Sequence, residues 1–451
     1  MFWSEFRELF KLGMPMVATQ FFIMAVGFID TAMAGHYASV DLAGVALGGN
    51  VLWPVFMLMS GLNMALTPMV AHLRGEKKVG QIGSLIWQGL WLALFSALVT
   101  ILIVINASPI FEWFNVDANA AEIGDRYLKA AAWGIPGAML YVTLRYVCEG
   151  LGHTIEPMLI AGSSLLVNGV LNYIFIYGKL GIPAMGGEGC GWATAITLWF
   201  ELLAVTVLVF KPWFRETGFN DNFEWLHLEK IKSIIRIGLP IGLGVFVEMG
   251  VFSLIGFLVG SLGVTALAAH SIAGHINWAT YVLPMSLGSA ASIRVGFFVG
   301  TRDLSRARYV AKTAFILSLG YALITSSLLM LGRNWIPSIY SNDLAVFTVA
   351  SQLLIIVAIY QIVDCTQATM VGALRGYKDT TVPMVYSLVG FWVLSLPVGI
   401  TLGFGYLGPA YGVYGFWGGL AFGLSLVCLL VGGRLYRTSN NERRILDFAA
   451  I

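Results

Sequence analysis

Long apolar runs separated by short polar connections make up almost the whole chain. A helix crosses the hydrocarbon core of a bilayer in about 20 apolar residues, more when tilted. Twelve such runs can be placed, near 9-33, 43-71, 85-108, 126-148, 157-178, 188-211, 231-259, 266-299, 307-330, 344-372, 383-404 and 410-436. The longest polar connection, "KPWFRETGFNDNFEWLHLEK" at 211-230, lies mid-chain and reads as a cytoplasmic linker. The pattern therefore predicts an all-α integral membrane protein. Residues 1-211 form an N-terminal six-helix lobe, 212-230 the linker, 231-436 a C-terminal six-helix lobe and 437-451 a tail. The amino terminus, "MFWSEFRELFKLGMP", runs into apolar sequence without a small-residue cleavage motif, so it is read as a first helix.

The two halves repeat. Sliding the chain on itself until Pro15 falls on Pro240 also superposes Gly13 on Gly238, Gly35 on Gly260, Trp53 on Trp278, Val70 on Val295, Gly75 on Gly300 and Trp192 on Trp417. A slip of one residue pairs Pro157 with Pro383. One register over most of each half marks an internal duplication. Six spans per half start both halves on the same side, which predicts two lobes related by a pseudo-two-fold along the membrane normal, with a substrate path between them. Pro15 and its mate Pro240 each remove a backbone hydrogen bond, so a bend is expected in the first helix of each half.

Composition agrees with the pattern: 58% of the residues are hydrophobic and 11% charged, against about 25% charged in soluble domains. A formal net charge of +2 argues for neither nucleic acid nor an acidic partner. Most of the 26 lysines and arginines fall on one side of the spans, which by the positive-inside rule puts both termini in the cytoplasm. Cys148, Cys190, Cys365 and Cys428 show no metal or disulfide spacing, and His270 and His275 make a poor metal pair.

A charge at the bilayer centre costs at least about 2.5–3.5 kcal/mol, so acids inside spans need a reason. They are Asp30, Glu201, Glu248 and Asp364. Arg294, near a span end, is expected to snorkel to the interface, leaving the acids without a deep base. Unpaired buried carboxylates bind a cation or a proton, so Asp30, Glu248 and Asp364 are read as ion sites. Under the repeat, Asp30 falls on Ile255 and Glu248 on Ile23, the same helix stripe about two turns apart. Tyr360 and Asp364 share a helix face at i, i+4, as do Asn168 and Asn172. The face of Tyr360 and Asp364 offers a hard cation two oxygens; the two amides either glue helices together or join Asp30 in a polar cavity.

The chain carries no G-x-x-x-x-G-K-[ST] phosphate loop, so an ion gradient is the expected energy source; one charge falling through 100 mV releases about 2.3 kcal/mol. No HExxH pattern is present and the acids lie on different helices, so an enzyme is not expected.

With "GFIDTAMAGHY" and "LAGVALGGNVLWPV" in the first half, "LPIGLGVFVEMGVFSLIGFLVGSLG" opening the second and "DCTQATMVGALRGYKDT" after span ten, the chain resembles multidrug and toxic compound extrusion (MATE) transporters over essentially its whole length. The second-half acids place the resemblance in the NorM-type branch; the DinF-like branch would have an aspartate where Asn172 stands. The resemblance implies cation-site roles for Glu248, Asp364, Tyr281 and Tyr360, with Na+ at Glu248 and Asp364. It likewise implies a first-lobe site of Asp30, Asn168, Asn172 and Thr194, and a bending role for Pro15. It implies a multi-pass antiporter of a bacterial inner membrane exporting amphipathic organic cations in exchange for Na+ and/or H+, as a monomer among membrane lipids and without a cofactor. A flippase for lipid or lipid-linked oligosaccharide is the alternative; the scarcity of deep basic residues counts against it.

Overall fold

A computed structural model of the chain describes residues 2–113, 117–221, 223–341 and 343–449. Among them no strand occurs, and eleven helices are long and apolar enough to cross a membrane. The expected fourth span is instead two helices, Ala118–Ala132 and Ile135–Gly150, meeting at Trp133 and Gly134. Pro136 near the start of the second cannot donate to the carbonyl one turn earlier, so the first helix stops there. Counting the pair as one crossing restores the twelve. The eleventh span is also composite: Thr381–Leu388 and Leu396–Phe404 flank a π-helical stretch, Val389–Ser395.

The chain divides into two compact units, Pro15–Gly242 and Leu243–Ile451 together with Met1–Met14. The boundaries therefore fall at Pro15 and just after Pro240, the prolines the repeat superposes, rather than at 211-230. The helix Phe2–Tyr37 runs unbroken through Pro15, the residue where a bend is expected from sequence. The ring leaves the Lys11 carbonyl without its usual donor, and Thr19 Oγ1 donates to the Pro15 carbonyl at 2.9 Å. The core of the first unit is built on Leu52, Val104, Phe111, Leu128, Ile135 and Ile176. That of the second is built on Val251, Ile255, Leu353, Phe391, Phe416 and Trp417.

Four helix ends share one turn. Lys78, His153, Asp303 and Asp379 donate their N–H to the carbonyls of Leu73, Cys148, Phe298 and Leu374 at 2.9–3.0 Å. The preceding residue, Lys77, Gly152, Arg302 or Lys378, has φ between 60° and 89°. These are left-handed helix caps, a conformation usually given to glycine. Gly150 and Gly376, two residues before the cap in their turns, lie against matching surfaces: a Cβ there would come within 2.8 Å of the Thr67 carbonyl or 2.7 Å of the Ser292 carbonyl. The duplication thus extends to backbone detail.

The segment expected to be a linker is a docked strap of the first unit. Trp87 stacks on Phe219 and Trp91 on Trp225. Gln88 Nε2 donates to the Trp225 carbonyl at 2.9 Å and its Oε1 accepts from the His227 N–H at 2.8 Å. Lys230 joins Glu224 and, at 2.6 Å, Ser84. The helix Ile82–Ile105 thereby trades aqueous contacts for aromatic cover at its polar end.

Candidate functional site

In the first unit, the helices Phe2–Tyr37, Ile155–Tyr177 and Gly187–Val209 bring Asp30, Asn168, Asn172 and Thr194 together. Asp30 is 5% exposed. Asn172 Nδ2 donates to Asp30 Oδ1 at 2.7 Å and to Asn168 Oδ1 at 3.0 Å. Thr194 Oγ1 donates to Asp30 Oδ2 at 3.3 Å. The i, i+4 spacing of the two asparagines aims both amides the same way. Among the described residues no lysine or arginine pairs with Asp30, and Asn168 Nδ2 and Asn172 Oδ1 are buried without a hydrogen-bond partner. Two neighbours hold the geometry: Tyr177 donates its hydroxyl proton to the Met33 carbonyl at 3.0 Å, and buried Asp41 accepts the Gly187 N–H at 2.6 Å. Asp41 thus caps a helix that begins on glycines and has no cap of its own. Sequence reasoning missed it because the capped helix starts far along the chain.

In the second unit, Tyr360 and Asp364 lie on the helix Leu344–Gly376, 0% and 2% exposed. Glu248 and Tyr281, both half-buried, come from Leu228–Gly260 and Val264–Gly300. Glu248 and Tyr281 are close enough to Asp364 for their charges to interact with it, and Arg375 is the positive charge whose field reaches Glu248. Asn277, absent from the sequence reading, approaches Asp364 Oδ2 with its Nδ2 at 3.5 Å, the outer limit of a hydrogen bond. Asp364 Oδ1, Tyr360 Oη and Asn277 Oδ1 are buried with no hydrogen-bond partner. Tyr360 also packs edge-on against Trp417 and Phe252, at 5.6 and 6.3 Å between ring centres. Orphaned buried oxygens cost about 1–3 kcal/mol each. The orphaned oxygens here belong to a carboxyl, a phenol and an amide.

Other sequence expectations resolve differently. Arg294 does not snorkel: it pairs with Glu5, which is 0% exposed, and Arg306 joins Glu5 at 3.1 Å. Both guanidinium groups also lie over the Phe298 ring. Neither was legible as a pair, because Glu5 reads as a surface residue of an amphipathic start. Nor is Arg294 the deepest base: Arg145 is 8% exposed and bonds Glu149 at 2.8 Å. Asp379 holds Arg434 at 2.6 Å and Thr438 at 2.9 Å. Asp343 caps its helix by accepting the Ala345 N–H at 2.8 Å. His270 Nδ1 accepts from the Trp417 indole at 3.1 Å, and among the described residues no three His, Cys, Asp or Glu converge as metal ligands.

Duplicated bundles of membrane-crossing helices, each with one buried aspartate outside any of the ion pairs found among the described residues, are the build of a membrane transporter. The MatE family profile matches residues 15–174 and 240–401, two stretches that begin at the superposed prolines. The chain belongs to the MatE family, on its NorM-type side. It is 36% identical to "Multidrug resistance protein MdtK" of Photorhabdus laumondii, covering 98% of each chain. With "Probable multidrug resistance protein NorM" of Idiomarina loihiensis it shares 35% identity over 98% of this chain and 96% of the relative. The crystal structure of the eukaryotic MATE transporter AtDTX14 superposes with a TM-score of 0.90 at 19% identity, covering 100% of this chain and 99% of that one, and shares its two-lobe fold.

Proposed function

We propose that this chain is a secondary active multidrug efflux antiporter, exporting amphipathic organic cations in exchange for Na+ and/or H+ by alternating access. It works in a bacterial inner membrane, both termini in the cytoplasm, as a monomer. The multidrug resistance relatives support the substrate class, and the one-sided distribution of Lys and Arg supports the orientation. The observation that carries the mechanism is the contrast between Asp30, held by neutral amide and hydroxyl donors, and Asp364, whose Oδ1 has no partner beside the equally unpartnered Tyr360 hydroxyl. The first arrangement suits a carboxyl that changes protonation in place. The second suits a site completed by a small cation, with Glu248, Asp364, Tyr360 and Tyr281 supplying oxygen.

Export then follows from competition. An organic cation and the coupling ion both seek the same negative charge, and the ion's gradient sets which one leaves on which side. Pro15 and Pro240, at the boundaries of the compact units, are the places where the first helix of each half can bend. The test is transport of ethidium in proteoliposomes with Na+ and pH gradients imposed separately. Accumulation driven by at least one gradient is expected; transport indifferent to both would overturn the reading.

A further inference from the structure

Trp417 is fully buried, and a buried indole N–H needs an acceptor. It finds one on another helix: Trp417 Nε1 donates to His270 Nδ1 at 3.1 Å. An indole nitrogen only donates, so this imidazole nitrogen carries no proton and His270 bears its proton on Nε2. The imidazole lies over Gly256, where a Cβ would stand 3.7 Å from Nε2. The Trp417 ring in turn packs edge-on against Tyr360 at 5.6 Å, and Phe252 closes a three-ring cluster at 6.2 Å from Trp417 and 6.3 Å from Tyr360. These rings stand in register with the second-half polar residues. Phe252 follows Glu248 by four positions, Tyr360 precedes Asp364 by four, and His270 precedes Asn277 by seven and Tyr281 by eleven, spacings that keep one helix face. Successive spans alternate in direction, so each of these rings lies nearer the 261–263 turn than the polar group on its own face.

The first half treats the same tryptophan differently. Trp192, which the repeat superposes on Trp417, donates at 3.4 Å to Glu188 Oε1, one turn back on its own helix. In that register Glu188 falls on Val413 and Val45 falls on His270. A local acceptor therefore suffices for the shared architecture. The second half has placed its acceptor instead on the helix that carries Asn277 and Tyr281. There the Tyr360 hydroxyl has no hydrogen bond of its own, so packing alone aims the ring.

We propose that His270 is a positioning residue for the second-half cation site: it fixes Trp417, and Trp417 holds the Tyr360 ring so that its hydroxyl stays on the Asp364 face, ready for Na+. This rests on the reading that Tyr360 and Asp364 bind Na+. His270 itself touches no ion; it acts through two ring contacts. With the acceptor replaced by an apolar group, the indole N–H is left unpaired and the ring turns toward another partner. Tyr360 then loses the wall on one side and its hydroxyl spends less time where the ion needs it.

The experiment measures Na+ affinity by isothermal titration on the purified full-length protein. It compares wild type, His270→Leu, His270→Asn, Tyr360→Phe and the double variant His270→Leu with Tyr360→Phe. His270→Leu is expected to bind Na+ about tenfold more weakly, the scale for a residue that orients a ligand. His270→Asn, whose amide oxygen can accept where Nδ1 does, should recover most of the affinity. The double variant should bind no more weakly than Tyr360→Phe alone, because both changes act through one hydroxyl. Wild-type affinity in His270→Leu overturns the proposal, even if its melting temperature falls, since His270 is then only satisfying a buried indole. So does a His270→Asn as weak as His270→Leu, or a double variant in which the two losses add. If His270→Leu does not fold, His270→Phe, which keeps a ring and removes the acceptor, takes its place under the same criteria. A wild type that binds no Na+, or a Tyr360→Phe that binds it as well as wild type, sinks the parent reading instead, whatever the His270 variants do.

Discussion

Asp30 and Asp364 are both buried aspartates without an ion-pair partner, yet their surroundings solve the problem in opposite ways. Around Asp30 each carboxylate oxygen receives a hydrogen bond, at 2.7 Å from Asn172 and 3.3 Å from Thr194. Around Asp364 one oxygen has a marginal 3.5 Å contact and the other has none, while an unpartnered tyrosine hydroxyl stands on the same helix face. A satisfied polar group is a finished piece of structure; an unsatisfied one stores a cost that a ligand can relieve. One sequence duplicated into two halves thus carries an aspartate with both oxygens bonded in the first and one with a bare oxygen in the second.

The largest expected effects test that contrast directly. Asp30→Asn and Asp364→Asn should each lower ethidium transport about a hundredfold, matching the ~2.5–3.5 kcal/mol scale of an intramembrane charge. They should do so with different signatures: Asp364→Asn loses the response to a Na+ gradient and Asp30→Asn the response to a pH gradient. Identical signatures in separate-gradient assays would dissolve the distinction.

Next in size is Tyr360→Phe. Removing an unsatisfied hydroxyl should leave the melting temperature equal or higher, while Na+ affinity read by isothermal titration falls about tenfold, since a ligand worth ~1–3 kcal/mol is gone. A stability loss with unchanged Na+ affinity would mean that the hydroxyl is only packing. A smaller contrast is Asn172→Ala against Asn277→Ala. The first strips a short hydrogen bond from Asp30 and should destabilise by about 1–3 kcal/mol. The second removes a contact at the limit of bonding distance and should cost clearly less in parallel thermal melts.

The smallest expected effect lies in the strap. Lys230 and Ser84, by hydrogen bonding, hold the Glu224 carboxyl below its ordinary range. A depressed folded value means that this contribution is complete above the unfolded carboxylate pKa of about 4.3 and fades as pH falls through the lower folded value. A fluorophore on Asp221→Cys should therefore report constant docking from pH 8 to about 5 and loosening only in more acid solution. Lys230→Gln should bring the loosening to higher pH.

Much of this is legible in the sequence. Spans follow from apolar length, the duplication from spaced glycines, prolines and tryptophans, and Asp30, Asn168, Asn172, Tyr360 and Asp364 from polar residues in apolar helices. What escaped were relations between distant residues. Glu5 looks like a surface acid until Arg294 and Arg306 are placed over it. Glu149 sits so near a helix end that its burial at 4% exposure has no sequence signature. The strap reads as a polar linker because Phe219, Phe223 and Trp225 pack on Trp87 and Trp91, on a helix more than a hundred residues earlier. Trp133 and Gly134 sit in apolar sequence, so hydropathy runs straight across the break, and only Pro136 hints at it.

The pairing of Glu5 with Arg294 also has a consequence for how the protein is made. The two residues are 289 positions apart, and the first fourteen residues belong to the compact unit that ends the chain. During synthesis the start of the first helix emerges long before the residues that will neutralise it. Until the later helices follow, Glu5 must wait in contact with water or lipid headgroups, with the rest of its own helix already inserted. Completion of this protein is therefore a late event that returns to its first residues, and truncated chains should leave that end of the first helix undocked and open to proteases.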